Sequence, residues 1–361
     1  MTNGLDALQA TGAASVFDAV NPSTLGLAMV LIQDAIRMGQ TELALGFVQF
    51  SRARWGADPG LDLVEALLES KSGRAEQARR CLEVARITDP QTLVTQVYAA
   101  MAAMDSRDFD PAQRRLREVI ERCPDYPGVA GMLSSILMPG PNYREVLRSI
   151  HQILQPRSYL EIGVETGATL SLAKAERIIG IDPNFGPLRR EWLQLHVQLY
   201  ELKSCDFFRQ HARGEVLADV PLDLVFIDGL HRFESALQDF YAVERWAHAR
   251  SVVVMHDALP IAPVYAEPER RTRFWVGDVW KAVYALLRSR PDLVIHVIPA
   301  VPSGLVVIRW REPKLQSPPI SYADLVRDTE FPKLGSGDTV WPREFPLVAN
   351  NVEGYRKALG R

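Results

Sequence analysis

Seven short apolar runs in the second half of the chain constrain its fold more than any other feature. The first five alternate with stretches of helical spacing, and continuous Val, Ile and Leu runs separated by helices are typical of a parallel sheet covered on both faces. Only PAVPS joins the last two runs, which is too short for a crossover helix, so the final strand should be antiparallel. The runs are SYLEIG (158–163), RIIGID (177–182), HVQLYEL (196–202), LDLVFID (222–228), SVVVMHD (251–257), DLVIHVI (292–298) and GLVVIRW (304–310). We therefore predict an α/β fold with a seven-stranded, mostly parallel sheet.

The first half of the chain shows a different periodicity, with apolar residues at helical spacing and no strand rich in Val and Ile. Ala44, Ala78 and Ala112 lie 34 residues apart, and Asp89-Pro90 and Cys123-Pro124 recur at the same interval. This period resembles that of tetratricopeptide repeats, although most Trp, Gly and Tyr positions of that repeat are missing. We predict an all-α, helical-repeat-like domain, with generic helical packing as the alternative.

The two halves meet at a short segment in which Pro139, Gly140 and Pro141 interrupt the helical pattern. We predict an N-terminal segment over 1–24, the helical domain over 25–138, the α/β domain over 143–311 and a C-terminal extension over 312–361.

Composition excludes several classes of protein. The 361 residues carry a net charge of −3, which gives no overall basic field and disfavours a nucleic-acid partner. Cys81, Cys123 and Cys205 are far apart, which argues against a disulfide framework or a zinc cluster. The N-terminus has no signal-peptide pattern, and no apolar run reaches the roughly 18 residues of a membrane span. We expect a cytoplasmic protein with neither a nucleic-acid nor a membrane partner.

The loop after the first strand is suited to a ligand. Gly163 and Gly167 allow a tight turn and a close backbone approach, and the helix that follows offers unpaired N–H groups. Glu165 stands where a dinucleotide-binding loop has glycine and would repel a pyrophosphate, so the loop better suits a cationic or zwitterionic ligand. The alternative is an ordinary turn between a strand and a helix.

Two further loops carry carboxylates. Asp182 closes the second strand, where it can accept hydrogen bonds from both hydroxyls of a ribose. Asp206 follows the third strand, where it can meet an adenine edge while Phe207 or Phe208 packs on the ring. Helix N-capping is the alternative for each aspartate, but the acidic ends of three neighbouring strands together favour ligand binding.

Ionisable residues also end the fourth and fifth strands. Asp228 ends the fourth, and His256 and Asp257 follow it by 28 and 29 residues, about one strand-to-strand crossover. Because ligands bind at the carboxyl edge of such sheets, these side chains should converge there. Carboxylates suit Mg²⁺ or Mn²⁺, with waters and a substrate hydroxyl completing the coordination. The imidazole of His231 can take a proton from a hydroxyl near neutral pH, although a surface histidine before a helix is the alternative.

The motifs EIGVETG, GIDP, SCDFF, LVFIDGLH and VVVMHD, in this order and spacing, resemble class I S-adenosylmethionine-dependent methyltransferases over residues 155–310. The D-G-x-H motif with its later acidic pair is similar to the metal-dependent O-methyltransferases of the catechol, caffeoyl-CoA and macrolide-sugar type, and to the cephalosporin hydroxylase group. The resemblance implies a Rossmann-like methyltransferase fold, S-adenosylmethionine as cofactor, a divalent metal (Mg or Mn), and His231 as catalytic base. It implies cofactor binding by Glu161, Gly163, Val164, Glu165, Thr166, Gly167, Asp182, Asp206 and Phe207, and metal binding by Asp228, His256 and Asp257.

Two positions depart from the family pattern. Glu165 replaces the middle glycine of the usual first loop. His256 stands where the family usually has a carboxylate, and imidazole shifts metal preference toward Mn, Fe, Co or Zn.

The loop after the fifth strand is expected to cover the acceptor, because it leaves the sheet beside the predicted metal site. Tyr265, Arg273 and Trp275 are the candidate contacts, and aromatic and arginine side chains suit a sugar or an aromatic or acidic acceptor.

The favoured hypothesis is an O-methyltransferase that acts on a hydroxyl of a small molecule such as a sugar, a polyketide or another natural product. In this hypothesis the helical half offers a surface for a protein partner or for self-association. The alternatives are a non-catalytic interaction protein with a nucleoside-binding module and, disfavoured by Glu165, a nicotinamide-dependent oxidoreductase.

Overall fold

The chain divides into two compact units, Met1–Leu133 and Ser134–Arg361. The computed structural model describes residues 25–56, scattered positions between 61 and 80, and residues 90–211, 222–312, 315, 318–335 and 340–361. The predicted N-terminal segment, 1–24, lies outside the described residues.

The first unit contains two helical hairpins among its described residues. Helices α1 (Leu25–Arg37) and α2 (Thr41–Trp55) pack together, as do α3 (Pro90–Asp105) and α4 (Phe109–Arg122). Ala44 and Ala112 occupy the fourth position of α2 and α4, and both are fully buried. Because Ala78 and Asp89 lie outside the described residues, the repeat itself stays a prediction. Helix α5 (Val129–Leu137) follows.

The second unit is built on one seven-stranded sheet, as the apolar runs predict. Its strands are β1 (Ser158–Ile162), β2 (Arg177–Asp182), β3 (Val197–Glu201), β4 (Leu222–Ile227), β5 (Ala247–His256), β6 (Leu293–Ile298) and β7 (Leu305–Trp310). The spatial order is β3-β2-β1-β4-β5-β7-β6; β1 to β5 pair in parallel, and β7 lies antiparallel to both β5 and β6. The predicted α/β, Rossmann-like methyltransferase fold is confirmed.

Helices pack on this sheet and complete its core. They are α6 (Tyr143–Leu154), α7 (Ser204–His211), α8 (Phe233–Glu244), α9 (Val279–Ser289), α10 (Tyr322–Asp328) and α11 (Val352–Leu359). The Asn142 side chain caps α6 by accepting hydrogen bonds from two backbone N–H groups, and the Asn142 N–H donates to the Glu145 carboxylate. The C-terminal extension is part of the domain, because Tyr355 and Leu359 of α11 belong to the same buried cluster as Ile150 of α6.

Among the described residues, none of the helices combines the length and the apolar character that crossing a membrane requires.

His151 on α6 is buried against Tyr159, and neither ring nitrogen has a hydrogen-bond partner among the described residues. Burial disfavours the charged ring and lowers the pKa of His151 to about 4, from an ordinary value of about 6.5. The stability that this neutral side chain contributes is therefore complete above pH 6.5 and is lost as the pH falls from 6.5 to 4.

We expect His151→Leu to reduce the acid-induced loss of stability by about 3 kcal/mol across that window, since the variant has no ring to protonate. Denaturant titrations of both proteins at pH 7 and pH 4 measure the difference. Equal losses in the two proteins would contradict the prediction.

Arg290 is the largest fully buried side chain of the described residues. Its guanidinium pairs with Glu244 at the end of α8 and with Asp292 before β6, and Trp310 of β7 donates to the same Glu244 carboxylate at 2.9 Å. This network joins the C-terminal ends of α8 and α9 to the antiparallel edge of the sheet.

Arg290→Met removes the buried cation that pairs with Glu244 and Asp292, so we expect the free energy of unfolding to fall by about 3–5 kcal/mol. The matched control is Arg327→Met, which removes an exposed arginine paired with Asp324 and Asp328 and should change little. Similar effects of the two substitutions in a denaturant titration would contradict this account.

Candidate active site

The carboxyl ends of β1, β2, β4 and β5 border a cavity of about 760 Å³. It lies where the strand order reverses between β1 and β4, the position at which open parallel sheets bind ligands. The lining includes Gly163, Val164, Glu165, Thr166, Asp182, Lys203, Ser204, Asp228, His231, Asp239, His256, Asp257, Arg270, Arg273 and Trp275. Most of the predicted site residues therefore border one space.

Gly163 allows the loop after β1 to lie directly against the end of β4. Its backbone adopts φ +88°, and a Cβ atom there would lie 1.9 Å from the carbonyl oxygen of Asp228. The Asp228 N–H donates to the carbonyl of Ile162 at 2.8 Å, which extends the β1–β4 pairing by one residue. Only glycine fits this position. The close contact fixes the position of the Asp228 backbone at the edge of the sheet.

Asp182 holds the same loop from the other side. One carboxylate oxygen accepts from the backbone N–H groups of Val164 and Glu165, both at 2.9 Å, and the other accepts from Asn184 at 2.8 Å. These bonds stabilise the left-handed backbone of Glu165, at φ +47°. Since a carboxylate has about four acceptor positions, capacity remains for a hydroxyl donor in the cavity.

Glu161 and Gly167 are not among the lining residues. The Glu161 carboxylate is fully buried beneath the loop and accepts from Tyr159 at 2.5 Å and from Thr169 at 2.7 Å. Burial outweighs these hydrogen bonds and raises the pKa of Glu161 to about 8. The side chain therefore supports the wall of the cavity from behind.

Asp206 and Phe207, the predicted adenine contacts, are also outside the lining. They belong to α7, in which Asp206 pairs with Arg209 at 2.8 Å and Phe207 is buried against Tyr200. The residues that do border the cavity here are Lys203, Ser204 and Cys205, at the start of the helix. The helix begins at Ser204, earlier than the motif suggested. The residues that border the cavity therefore lie one to three positions before Asp206.

Asp228, His231 and Asp257 converge as the strand order predicted. Nε2 of His231 lies 3.5 Å from Oδ1 of Asp228, and Nδ1 lies 3.0 Å from Oδ2 of Asp257. One ligand atom from each of the three residues lies within 4.8 Å of the others, so the group could hold a metal ion.

Asp257 is held in an unusual conformation. Its backbone is left-handed at φ +59°, its side chain is almost completely buried, and Oδ1 accepts from Ser303 at 2.5 Å. Oδ2 is buried and makes no well-aligned hydrogen bond among the described residues, although Nδ1 of His231 lies 3.0 Å away, because Nδ1 is directed to the Trp275 carbonyl. An orphaned carboxylate oxygen of this kind is costly, and a bound cation would compensate it.

His231 is oriented by the loop that precedes α9. Its Nδ1 lies 3.2 Å from the carbonyl oxygen of Trp275, and the two rings stack with centroids 5.1 Å apart. A carbonyl can only accept, so the proton belongs on Nδ1 and Nε2 is left as the basic nitrogen. Burial lowers the pKa of His231, but the charges of Asp257 and Asp228 outweigh burial and raise it to about 11, so Nε2 also holds a proton near neutral pH unless positive charge binds beside the two carboxylates.

His256, predicted as a metal ligand, is not part of the group that could hold a metal ion. Its Nδ1 lies 3.2 Å from Asp228 and its Nε2 lies 3.3 Å from the Ser303 hydroxyl, so both nitrogens already have partners. The ring also stacks on Tyr143 at 4.3 Å. Among the described residues, His231 rather than His256 lies close to both carboxylates in that group.

The loop after β5 contributes two of its three predicted acceptor contacts to the cavity, Arg273 and Trp275. Tyr265 is fully buried and packs edge-on against Phe274. Its carbonyl accepts from the N–H groups of Val276 and Gly277. These two bonds hold the start of the loop against its end.

Sequence reasoning missed several lining residues, among them Tyr143, Arg144 and Asp239. Tyr143 and Arg144 precede the first strand, outside the motif order, and no local signal identifies them. Asp239 lies on α8 among the buried residues Ala236, Phe240 and Val243, and an acidic residue on the apolar face of a helix was the available signal. Burial raises the pKa of Asp239 to about 7, although a hydrogen bond from Ser204 opposes the shift.

Part of the α/β unit matches a known family. Residues 160–258 match the model of a family described as a methyltransferase domain. The α/β unit is therefore a methyltransferase domain built on the class I, S-adenosylmethionine-dependent fold. No curated protein matches the chain.

Several solved structures match the chain at low identity and low TM-score. An O-methyltransferase from Bacillus cereus in complex with SAH is 16% identical, with a TM-score of 0.39 and coverage of 61% of this chain and 100% of that chain. The O-methyltransferase TomG from Streptomyces achromogenes, involved in tomaymycin synthesis, is 16% identical, with a TM-score of 0.35 and coverage of 46% and 78%. The methyltransferase PaMTH1 from Podospora anserina is 15% identical, with a TM-score of 0.38 and coverage of 62% and 89%.

We expect Gly163→Ala to destabilise the α/β unit by more than about 2 kcal/mol, because the new methyl group meets backbone rather than a movable side chain. Gly186→Ala is the control, since the nearest atom there belongs to the side chain of Asn184, at 3.0 Å. Denaturant titration followed by tryptophan fluorescence measures both. A Gly163→Ala protein as stable as the control would refute the close approach.

Proposed function

We propose that the protein transfers a methyl group from S-adenosylmethionine to a hydroxyl oxygen of a small molecule, with assistance from a divalent metal. The observation that carries the proposal is the convergence of Asp228, His231 and Asp257 on the wall of the cavity that the Gly163 loop also borders. A base and two carboxylates beside a nucleoside-sized space suit the activation of a hydroxyl.

The donor's binding mode follows from the lining of the cavity. A volume of about 760 Å³ lies within the usual range for small-molecule sites. Asp182 retains acceptor capacity for ribose hydroxyls, and the acidic Glu165 loop suits a cationic donor. Lys203, Ser204 and Asp239 border the region assigned to the adenine, in place of Asp206 and Phe207.

S-adenosylmethionine supplies, when bound, a methyl group that a hydroxyl oxygen attacks, so that a C–O bond forms while the C–S bond breaks and leaves its electron pair on sulfur. In this proposal Nε2 of His231 takes the hydroxyl proton, since Nδ1 is held by the Trp275 carbonyl. The stacked Trp275 ring keeps the imidazole in place, and Asp228 and Asp257 stabilise the imidazolium that results. Holding the reactants in contact would supply most of the rate.

The residues present fit a divalent cation. Two carboxylates converge, and Oδ2 of Asp257 is buried without a well-aligned hydrogen bond among the described residues. Asp228 and Asp257 would hold the ion. It would offset the carboxylate charges that raise the pKa of His231, so that Nε2 could accept a proton, and it would lower the pKa of the acceptor hydroxyl.

The first test separates catalysis from binding. Transfer of a radiolabelled methyl group, measured across a panel of hydroxylated small molecules, should fall by about 10²- to 10⁴-fold in His231→Gln. Isothermal titration with S-adenosylhomocysteine should give the same affinity as the original protein. A variant that retains activity would remove His231 from the catalytic role, and an original protein that binds no S-adenosylhomocysteine would overturn the function.

The second test addresses the metal through binding as well as activity. We expect titration with Mn²⁺ to show one site that Asp257→Asn weakens about tenfold or more and that His231→Gln retains. Chelation with EDTA should lower activity. Loss of Mn²⁺ binding in His231→Gln would instead make His231 a ligand, and full activity after chelation would remove the metal from the proposal.

A further inference from the structure

We infer that the methyl acceptor carries an anionic group, a carboxylate or a phosphate, and that Arg270 and Arg273 bind it. This inference rests on the proposed function and names the class of molecule on which it acts. Both arginines lie on the loop between β5 and α9 and line the cavity together with Phe274 and Trp275.

Arg270 and Arg273 lie on the same loop as Trp275 and border the same cavity as His231. Arg273 lies two residues before Trp275, whose ring stacks on the imidazole of His231. The Arg270 guanidinium donates to the Arg273 carbonyl at 3.3 Å, so the two side chains belong to one turn. An acceptor whose hydroxyl reaches His231 would therefore extend toward these guanidiniums.

Arg270 differs from the neighbouring Arg271 both in its position at the cavity and in its ion pairing. Arg271, between the two, pairs with Glu269 at 3.1 Å and is not among the lining residues. Across the described part of the chain, no carboxylate lies within ion-pair distance of Arg270. An anion bound in the cavity would give Arg270 a charged hydrogen-bond partner.

The loop is braced, so its cations are held in position before a ligand arrives. The indole N–H of Trp275 donates to the Glu267 carbonyl at 2.7 Å, and the Thr272 hydroxyl donates to the Phe274 carbonyl at 2.6 Å. Arg232, next to His231, donates to the Pro268 carbonyl at 3.2 Å. These bonds reduce the ordering cost of binding.

The donor's own carboxylate is the competing anion for these guanidiniums. The carboxylates of Glu165 and Asp182 border the part of the cavity formed by the loops after β1 and β2, whereas both arginines come from the loop after β5. This separation of opposite charges favours an anion on the acceptor, and affinity for the donor product distinguishes the two sources.

The test is equilibrium binding to protein saturated with S-adenosylhomocysteine. The probes are 3,4-dihydroxybenzoate and a hexose phosphate. Their neutral counterparts are 3,4-dihydroxybenzamide and the free hexose, respectively. We expect at least one anion to bind at least tenfold more tightly than its neutral counterpart. Arg270→Gln and Arg273→Gln should each abolish most of that preference, by about ten- to a hundredfold in affinity, because each removes a charged hydrogen-bond donor.

Arg271→Gln is the matched control and should change neither preference nor affinity. Equal binding of anionic and neutral probes, or an unchanged preference in both variants, would overturn the inference. Weaker S-adenosylhomocysteine binding in the variants with no change in acceptor preference would assign the arginines to the donor and also overturn it. Because donor-product binding to the original protein is measured first, failure of the proposed function is seen separately.

Discussion

The candidate site depends on the parallel pairing of β1 with β4. That pairing sets Ile162 beside Ile227, so the next residue of each strand, Gly163 and Asp228, meet at the sheet edge. The backbone of Asp228 lies where a Cβ on residue 163 would be, and the pairing of β5 with β4 then brings Asp257 alongside. The order of the strands at the switch point thus fixes the spacing of the two carboxylates, while the covering loop fixes the imidazole between them.

Electrostatics explain why this arrangement suits a cation and a proton acceptor together. Burial raises the pKa of Asp228, but the charges of His256 and His231 outweigh it and hold that pKa well below its usual range. The two carboxylates need compensating positive charge, and His256, whose Nδ1 lies 3.2 Å from Asp228, supplies part of it. Asp257 keeps an oxygen without a well-aligned hydrogen bond among the described residues, which is the position where a cation would stabilise the cluster most.

The strand order and the convergence of Asp228, His231 and Asp257 could be predicted because strand ends in a parallel sheet meet at one edge. The loop side chains that border the cavity could not be predicted. A motif locates Asp206 in sequence, but the start of α7 decides which side chain borders the cavity. His256 follows the family's spacing, yet the hydroxyl of Ser303 occupies its second nitrogen. Tyr143 lies before the motif region and α11 lies after it, and only tertiary packing brings Tyr143 to the cavity and α11 to the domain.

The central claim is that a nucleoside donor and a cation occupy neighbouring parts of one cavity. A crystal structure of the protein grown with S-adenosylhomocysteine and Mn²⁺, with anomalous diffraction at the manganese edge, measures both positions directly. Our account predicts an anomalous peak about 2 Å from carboxylate oxygens of Asp228 and Asp257, with the donor's ribose beside Asp182. A donor bound elsewhere, or a peak remote from these two carboxylates, would contradict it.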